Sequence, residues 1–245
     1  MDIIKENIKD LTSLWQKVSE QANAYTTGED FDFGEISYSA WPNKLWFHHD
    51  VNKRTLDSAK SLLLSHSTRL TIPYWDIYQS TAYELLEANG FEKLSEQVGM
   101  YLKLTRTYEK ADELELKKVT DDKDALLWSQ LFEKAFNYHI SHKLLFPVHP
   151  DIDYLIAWQK NEPVGTALVH VNENGVAGIH AMGVIPEMRR KGFAEQMMTN
   201  ILYEITEQGF NYATLQASTL GQGLYLKLGF KEQFIMKNYA LRQEV

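Results

Sequence analysis

The sequence predicts an α/β fold of the α+β kind, built as two tandem copies of one unit, each a mostly antiparallel mixed sheet flanked by helices. Three observations predict it. Segments with apolar spacings of three and four alternate with short alternating or apolar runs bounded by Gly, Pro and Asn, so helices and strands interleave. The stretch ELLEANGFEK around Gly90 matches LYLKLGFKE around Gly229, in each case a short helix before a glycine and a strand after it. The 245 residues, 44% hydrophobic and 24% charged, are enough to bury a sizeable core in one large domain or two small ones.

In chain order, Ile4, Ile8, Leu11, Trp15 and Val18 give the first segment helical spacing. FGEISYSA and KLWFHHD, separated by Pro42 and Asn43, read as strands, and TLDSAKSLLLSH as a helix. RLTIPYW is strand-like, TAYELLEANGF is a helix with a glycine stop, and VGMYLKLTR is a closing strand. The polar RTYEKADE of residues 106–113 has no apolar period and sets the boundary between residues 1–108 and 109–245.

The second unit opens with the strand LELKKV. Asp121 to Asp124 offer N-caps for ALLWSQLFEKAF. DYLIAWQ, VGTALVHV and AGIHAMGVI, joined by NEP and NENG turns, read as three successive antiparallel strands. Ala194, Met197, Met198, Ile201, Leu202 and Ile205 line one face of a helix that Gly209 stops. YATLQAS is a strand, LGQGLYLKLG a short helix ending at Gly229, and FIMKNYAL the last strand.

Several classes of function are excluded early. A chain without cysteine has no disulfide, thiolate metal site or cysteine nucleophile. A formal charge of −8 disfavours nucleic acid as a partner, because neutralising phosphates requires a basic face. No apolar run approaches the ~20 residues of a membrane span, and the N-terminus lacks the pattern of a secretory signal, so no membrane partner and a cytoplasmic location are expected. His139, His142 and His149 lack the spacing of a helical zinc motif, so no metal is expected.

Against this acidic background the turn in VIPEMRRKGFAEQMM stands out. It puts Arg189, Arg190, Lys191 and Gly192 at the start of the best-defined helix, where unpaired N–H groups and the helix dipole favour an anion. A diphosphate would suit it, although a solvated basic loop closing a strand fits the turn as well. It has neither the P-loop nor the dinucleotide glycine pattern.

Residues 112–245 resemble the GNAT superfamily of acyl-CoA-dependent N-acyltransferases. R-R-K-G-F-A meets the phosphate signature Q/R-x-x-G-x-G/A through Arg189, Gly192 and Ala194. Leu224, Tyr225, Lys227, Gly229 and Phe230 meet a downstream L-Y-x-K-x-G-F. The resemblance implies acetyl-CoA as cosubstrate, with a primary amine as acceptor. It also implies that the amides from Arg190 through Lys191, Gly192 and Phe193 to Ala194 hold the pyrophosphate, and that the pantetheine arm follows the strand carrying Met182 and Val184. Tyr225 matches the tyrosine that protonates the departing thiolate, though core packing is its bland alternative. Ser218 stands where relatives often have asparagine and is carried as a cofactor contact, a role compatible with an N-cap.

The base is a separate matter. No glutamate lies in AGIHAMGVI, but His180 shares strand parity with Met182 and Val184 and is the candidate; a bulge would reverse that parity. The first unit places D-V-N-K-R-T against the basic turn and Leu86 against Tyr225, so it is expected to bind no acyl-CoA. Its expected part is to wall the acceptor cleft and stand in for a dimer partner, which points to a monomer. Trp41, Trp46, Tyr74 and Trp75 could bury the contact or belong to ordinary core. The rival reading is a non-catalytic acyl-CoA-binding module.

Overall fold

The structure, a computed structural model, describes residues 1–242. The first helix, α1 (Ile3–Gln21), starts where Asp2 caps the amides of Ile4 and Lys5. It leads to a small antiparallel sheet of β1 (Tyr25–Thr26), β2 (Phe31–Gly34) and β3 (Lys44–Phe47). Only the start of FGEISYSA is a strand. The Asn43 side chain accepts from Ile36 N–H and donates to the carbonyls of Ile36 and Ser39, which folds the intervening chain into a turn. Next come α2 (Lys53–Ser65), β4 (Ile72–Trp75), α3 (Ala82–Ala88) and β5 (Phe91–Lys103). β5 begins seven residues before the expected VGMYLKLTR, because residues 93–96 are exposed and carry no apolar pattern to mark them.

The second half runs β6 (Glu115–Lys118), α4 (Asp122–Phe136), β7 (Ile152–Gln159), β8 (Glu162–Val171), β9 (Val176–Val184), α5 (Phe193–Glu207), β10 (Tyr212–Ala217), α6 (Gln222–Leu228) and β11 (Lys231–Leu241). β6 to β9 are antiparallel neighbours, as their hairpin turns dictate. β10 returns parallel to β9 across α5.

The halves do not keep separate sheets. Eight strands form one sheet in the order β4-β11-β5-β10-β9-β8-β7-β6, so β5 lies between two second-half strands and β11 between two first-half strands. The order reads alike from either side of the central antiparallel β5–β11 pair: β4 adjoins β11 as β10 adjoins β5. Beyond β4, Thr71 bridges Lys44 in parallel, as β10 adjoins β9.

Packing follows this exchange. Met100 and Leu102 of β5 sit in the core that α5 covers, among Val164, Met197, Ile201 and Leu215. Tyr239 of β11 is buried with Leu56, Leu86 and Phe91 of the first half. Leu11 and Trp15 of α1 join Trp46, Trp75, Phe234 and Met236 at the junction, while Tyr74 belongs to the first half's own core.

It follows that residues 109–245 expressed alone should not yield a folded monomer. They would lose β5 from between β10 and β11, together with the burial of two side chains at ~1.5–3 kcal/mol each. Light scattering after gel filtration should find aggregates or dimers, and co-expression with residues 1–108 should restore a 1:1 species. A monodisperse, folded 109–245 monomer would refute the expectation.

Candidate active site

The site begins where β9 and β10 part. They pair in parallel only from Val176 to Gly178 and from Tyr212 to Thr214, although β9 runs on to Val184 and β10 to Ala217. The result is a fork open toward the C-terminal ends of two parallel strands, where open α/β sheets bind ligands.

At the end of β9 the chain makes a short 3-10 turn, Pro186–Met188, and enters α5. Arg190 holds φ +63 and Gly192 φ +83, so the chain passes twice through the left-handed region as it enters α5. Among the described residues, the N–H groups of Arg190, Lys191, Gly192, Phe193 and Ala194 have no acceptor, and no side chain caps α5. A Cβ built on Gly192 would meet nothing within 4 Å, so the space in front of these amides is open. The start of α2 is the opposite case. There Asn52 accepts from Thr55 N–H while the Thr55 hydroxyl accepts from Asn52 N–H, and Asp50 adds negative charge.

The side chains of the basic turn divide into two uses. Arg189 donates from Nε to the Val184 carbonyl at 3.1 Å and from Nη2 to the Ala135 carbonyl at 2.8 Å, bracing the turn against α4. Arg190 is exposed and makes no hydrogen bond or ion pair among the described residues, and the Lys191 ammonium donates to the Met188 sulfur. Phe193 is buried in the α5 core, so only its backbone faces the turn; Met182, Val184 and Ala194 pack on the same core.

Tyr225 and Ser218 lie past the end of the other arm, β10. Ser218 is exposed and accepts from Gly221 N–H through both its carbonyl and its hydroxyl, which closes the turn before α6; the N-cap itself is Gly221, with no side-chain cap. The Tyr225 ring is buried edge-on to Phe230 at 5.8 Å, and burial raises its phenol to about 12. Its hydroxyl has no partner among the described residues and is not sealed from solvent.

His180 departs from the expected geometry. Opposite Ala167 of β8, β9 carries the two residues Ala181 and Met182, a bulge in which Ala181 holds φ +49. The bulge reverses the parity: Met182 and Val184 face the α5 core, whereas His180 faces α1. His180 lies two residues past the last β9–β10 pair, at Gly178, and keeps 9% of its side chain exposed.

α1 lies across the fork on that face. Asn7 accepts from Gln216 of β10 and donates to the Met100 carbonyl, while Asp10, one helical turn on, accepts from His180 of β9 at 3.0 Å and His170 of β8 at 2.8 Å. Asn7, Asp10, Lys17 and His170 were not singled out by the sequence. The available signal was two polar residues, Asn7 and Asp10, flanking the apolar stripe of a helix.

This geometry has relatives. The acetyltransferase (GNAT) family profile matches residues 122–230. A Bacillus subtilis (strain 168) protein provisionally named an acetyltransferase is 26% identical over 92 residues, 36% of this chain and 62% of that protein's length. Among solved structures, a GCN5-related N-acetyltransferase from Kribbella flavida superposes with a TM-score of 0.72 at 13% identity, covering 94% of either chain. A tandem GNAT protein from the clavulanic acid biosynthesis pathway gives 0.55 at 12% identity, over 88% of this chain and 79% of that one. At such identities the structural likeness is one of fold. Residues 122–230, less than half of the chain, thus carry the likeness to the acetyltransferase (GNAT) family, within a fold that GNAT structures share over 94% of the chain's length.

Proposed function

We propose that the protein transfers an acetyl or short acyl group from coenzyme A to a primary amine of a small molecule or peptide. The observation that carries this reading is the run of five unclaimed amides from Arg190 to Ala194, with Arg190 and Lys191 beside them, at the mouth of the fork. A diphosphate would satisfy these donors together, and the strand edges left unpaired beyond Gly178 and Thr214 would suit an extended arm. Met182 and Val184 would wall that arm.

When bound, the thioester supplies an electrophilic acyl carbon and a thiolate leaving group. The protein's part is to hold it, accept a proton from the amine and stabilise the departing sulfur. Tyr225, with its phenol raised to about 12, stays protonated at any working pH. Full transfer of its proton to a thiolate of ordinary pKa ~8.5 would run uphill by roughly 3 pK units, so its role is to donate a hydrogen bond to the developing charge. His180 would take the amine proton from the opposite face of the sheet, which keeps donor and acceptor from quenching each other.

The first half, residues 1–108, is in this reading a degenerate copy whose helix start is capped by its own side chains. It supplies α1 and β5 to the working site and fills the place of a dimer partner. The tandem GNAT neighbour supports this division.

The test is thiol release from acetyl-CoA in the presence of tyramine, spermidine, glucosamine or an unblocked tripeptide, read with a chromogenic disulfide. Amine-dependent thiol with at least one acceptor class is expected. Release no faster than without amine across the whole panel would count against transfer to these amines.

A further inference from the structure

We infer that Asp10, on the N-terminal helix of the first half, is a positioning residue for acyl transfer: it fixes His180 with its proton on Nε2 and leaves Nδ1 as the base. This rests on the acyltransferase reading and adds to it the residue that makes His180 competent.

The donors and acceptors in the network decide the tautomers. Lys17 Nζ lies 3.1 Å from His170 Nε2 and 2.6 Å from Asp151 Oδ2, and an ammonium can only donate. His170 Nε2 therefore accepts, and its remaining proton sits on Nδ1, which donates to Asp10 Oδ1 at 2.8 Å. Burial pushes the Asp10 carboxyl up, but the hydrogen bonds from His170 and His180 outweigh it and hold the group below its usual 3.8, so it is ionised and accepts only. Its second oxygen, 3.0 Å from His180 Nε2, must then receive the Nε2 proton. The lone pair of a neutral His180 is left on Nδ1, which has no partner among the described residues and is not sealed from solvent.

The surroundings are built for this contact. Asp10 and His170 are fully buried, while His180 keeps 9% of its side chain exposed at the fork. A Cβ on Gly178 would overlap both the Asp10 carboxylate and His180 Nε2, so the bare glycine makes room for the pair. The charged or titratable groups facing His180 are Asp10 from α1 and His170 from β8. Lys17, Asp151 and His149 are linked through His170, and α4 brings the apolar Ala135 and Phe136 against Gly183 of β9. In the reaction the amine nitrogen bonds to the acyl carbon and the carbon–sulfur bond of the thioester breaks, the sulfur leaving as coenzyme A thiolate; the amine proton passes to His180 Nδ1, and the ionised Asp10 offsets the imidazolium charge.

An Asp10→Asn side chain keeps the volume but can present an N–H to His180, which turns the imidazole over to the Nδ1–H form. Nitrogen-15 NMR of the wild-type histidines should show His180 protonated on Nε2 when neutral. In D10N, kcat for acetyl-CoA with the best amine of the panel should fall ~10²–10⁴-fold. Acetyl-CoA affinity should stay within about threefold, and D10N/H180Q should be no slower than H180Q. The acid limb of the wild-type rate profile should vanish in H180Q, which a merely structural clamp would not cause.

A proton on Nδ1 in the wild type overturns the inference whatever the activity, and this result does not require D10N to fold. Unchanged kcat in folded D10N overturns it and leaves the transferase reading standing. A wild type that binds no acetyl-CoA and releases no thiol overturns both.

Discussion

Gly192→Glu should abolish acetyl-CoA binding while leaving the protein folded. The new carboxylate would stand among the five amides that have no acceptor, and its charge opposes a pyrophosphate at the position where Arg190 and Lys191 would attract one. Stability should fall by the backbone cost alone, because nothing lies within 4 Å of the added Cβ. The left-handed φ of +83 costs roughly 1–2 kcal/mol for a residue with a side chain. Titration calorimetry should give binding for the wild type and an affinity at least ~10²-fold weaker for the variant, equivalent to about 2.7 kcal/mol. A variant that binds as the wild type does would remove the phosphate turn from the proposal.

Tyr225→Phe should separate turnover from binding. The ring stays packed against Phe230 and only the unpartnered hydroxyl is lost, so acetyl-CoA affinity and Tm should hold. Losing one donor to the departing sulfur should lower kcat by ~10²-fold. Since burial lifts the phenol to about 12, it does not ionise on the alkaline side of neutrality, and no alkaline limb below that pH should disappear with the hydroxyl. An unchanged kcat would return Tyr225 to the role of a core aromatic, and loss of both binding and turnover would mean that the hydroxyl contacts the cofactor instead.

How much of this could be read from the chain depends on the range of the interaction. The α4 start at Asp121, the hairpins of β7 to β9 and the stop at Gly229 with φ +100 are set within a few residues, and local chemistry names them. The basic turn was legible for the same reason, since its amides are free because of their own helix. Its side chains were less so: Arg189 is committed to carbonyls of β9 and α4, the latter 54 positions away. The start of β5 was missed because its exposed residues carry no alternation. The parity of His180 failed on one inserted residue, for a single bulge moves every later side chain to the other face.

The sequence by itself determined the type of most elements, the helix, glycine and strand endings at Gly90 and Gly229, and the basic helix start that follows β9 and has no counterpart before α2. Each follows from short-range periodicity, backbone freedom or charge. Only the tertiary structure decided that β5 and β11 cross into each other's half and that Asp10 meets His180 across 170 positions. Such pairings depend on which buried donors, acceptors and strand edges remain to be satisfied once the sheet has closed, and that is a property of the whole chain rather than of any segment.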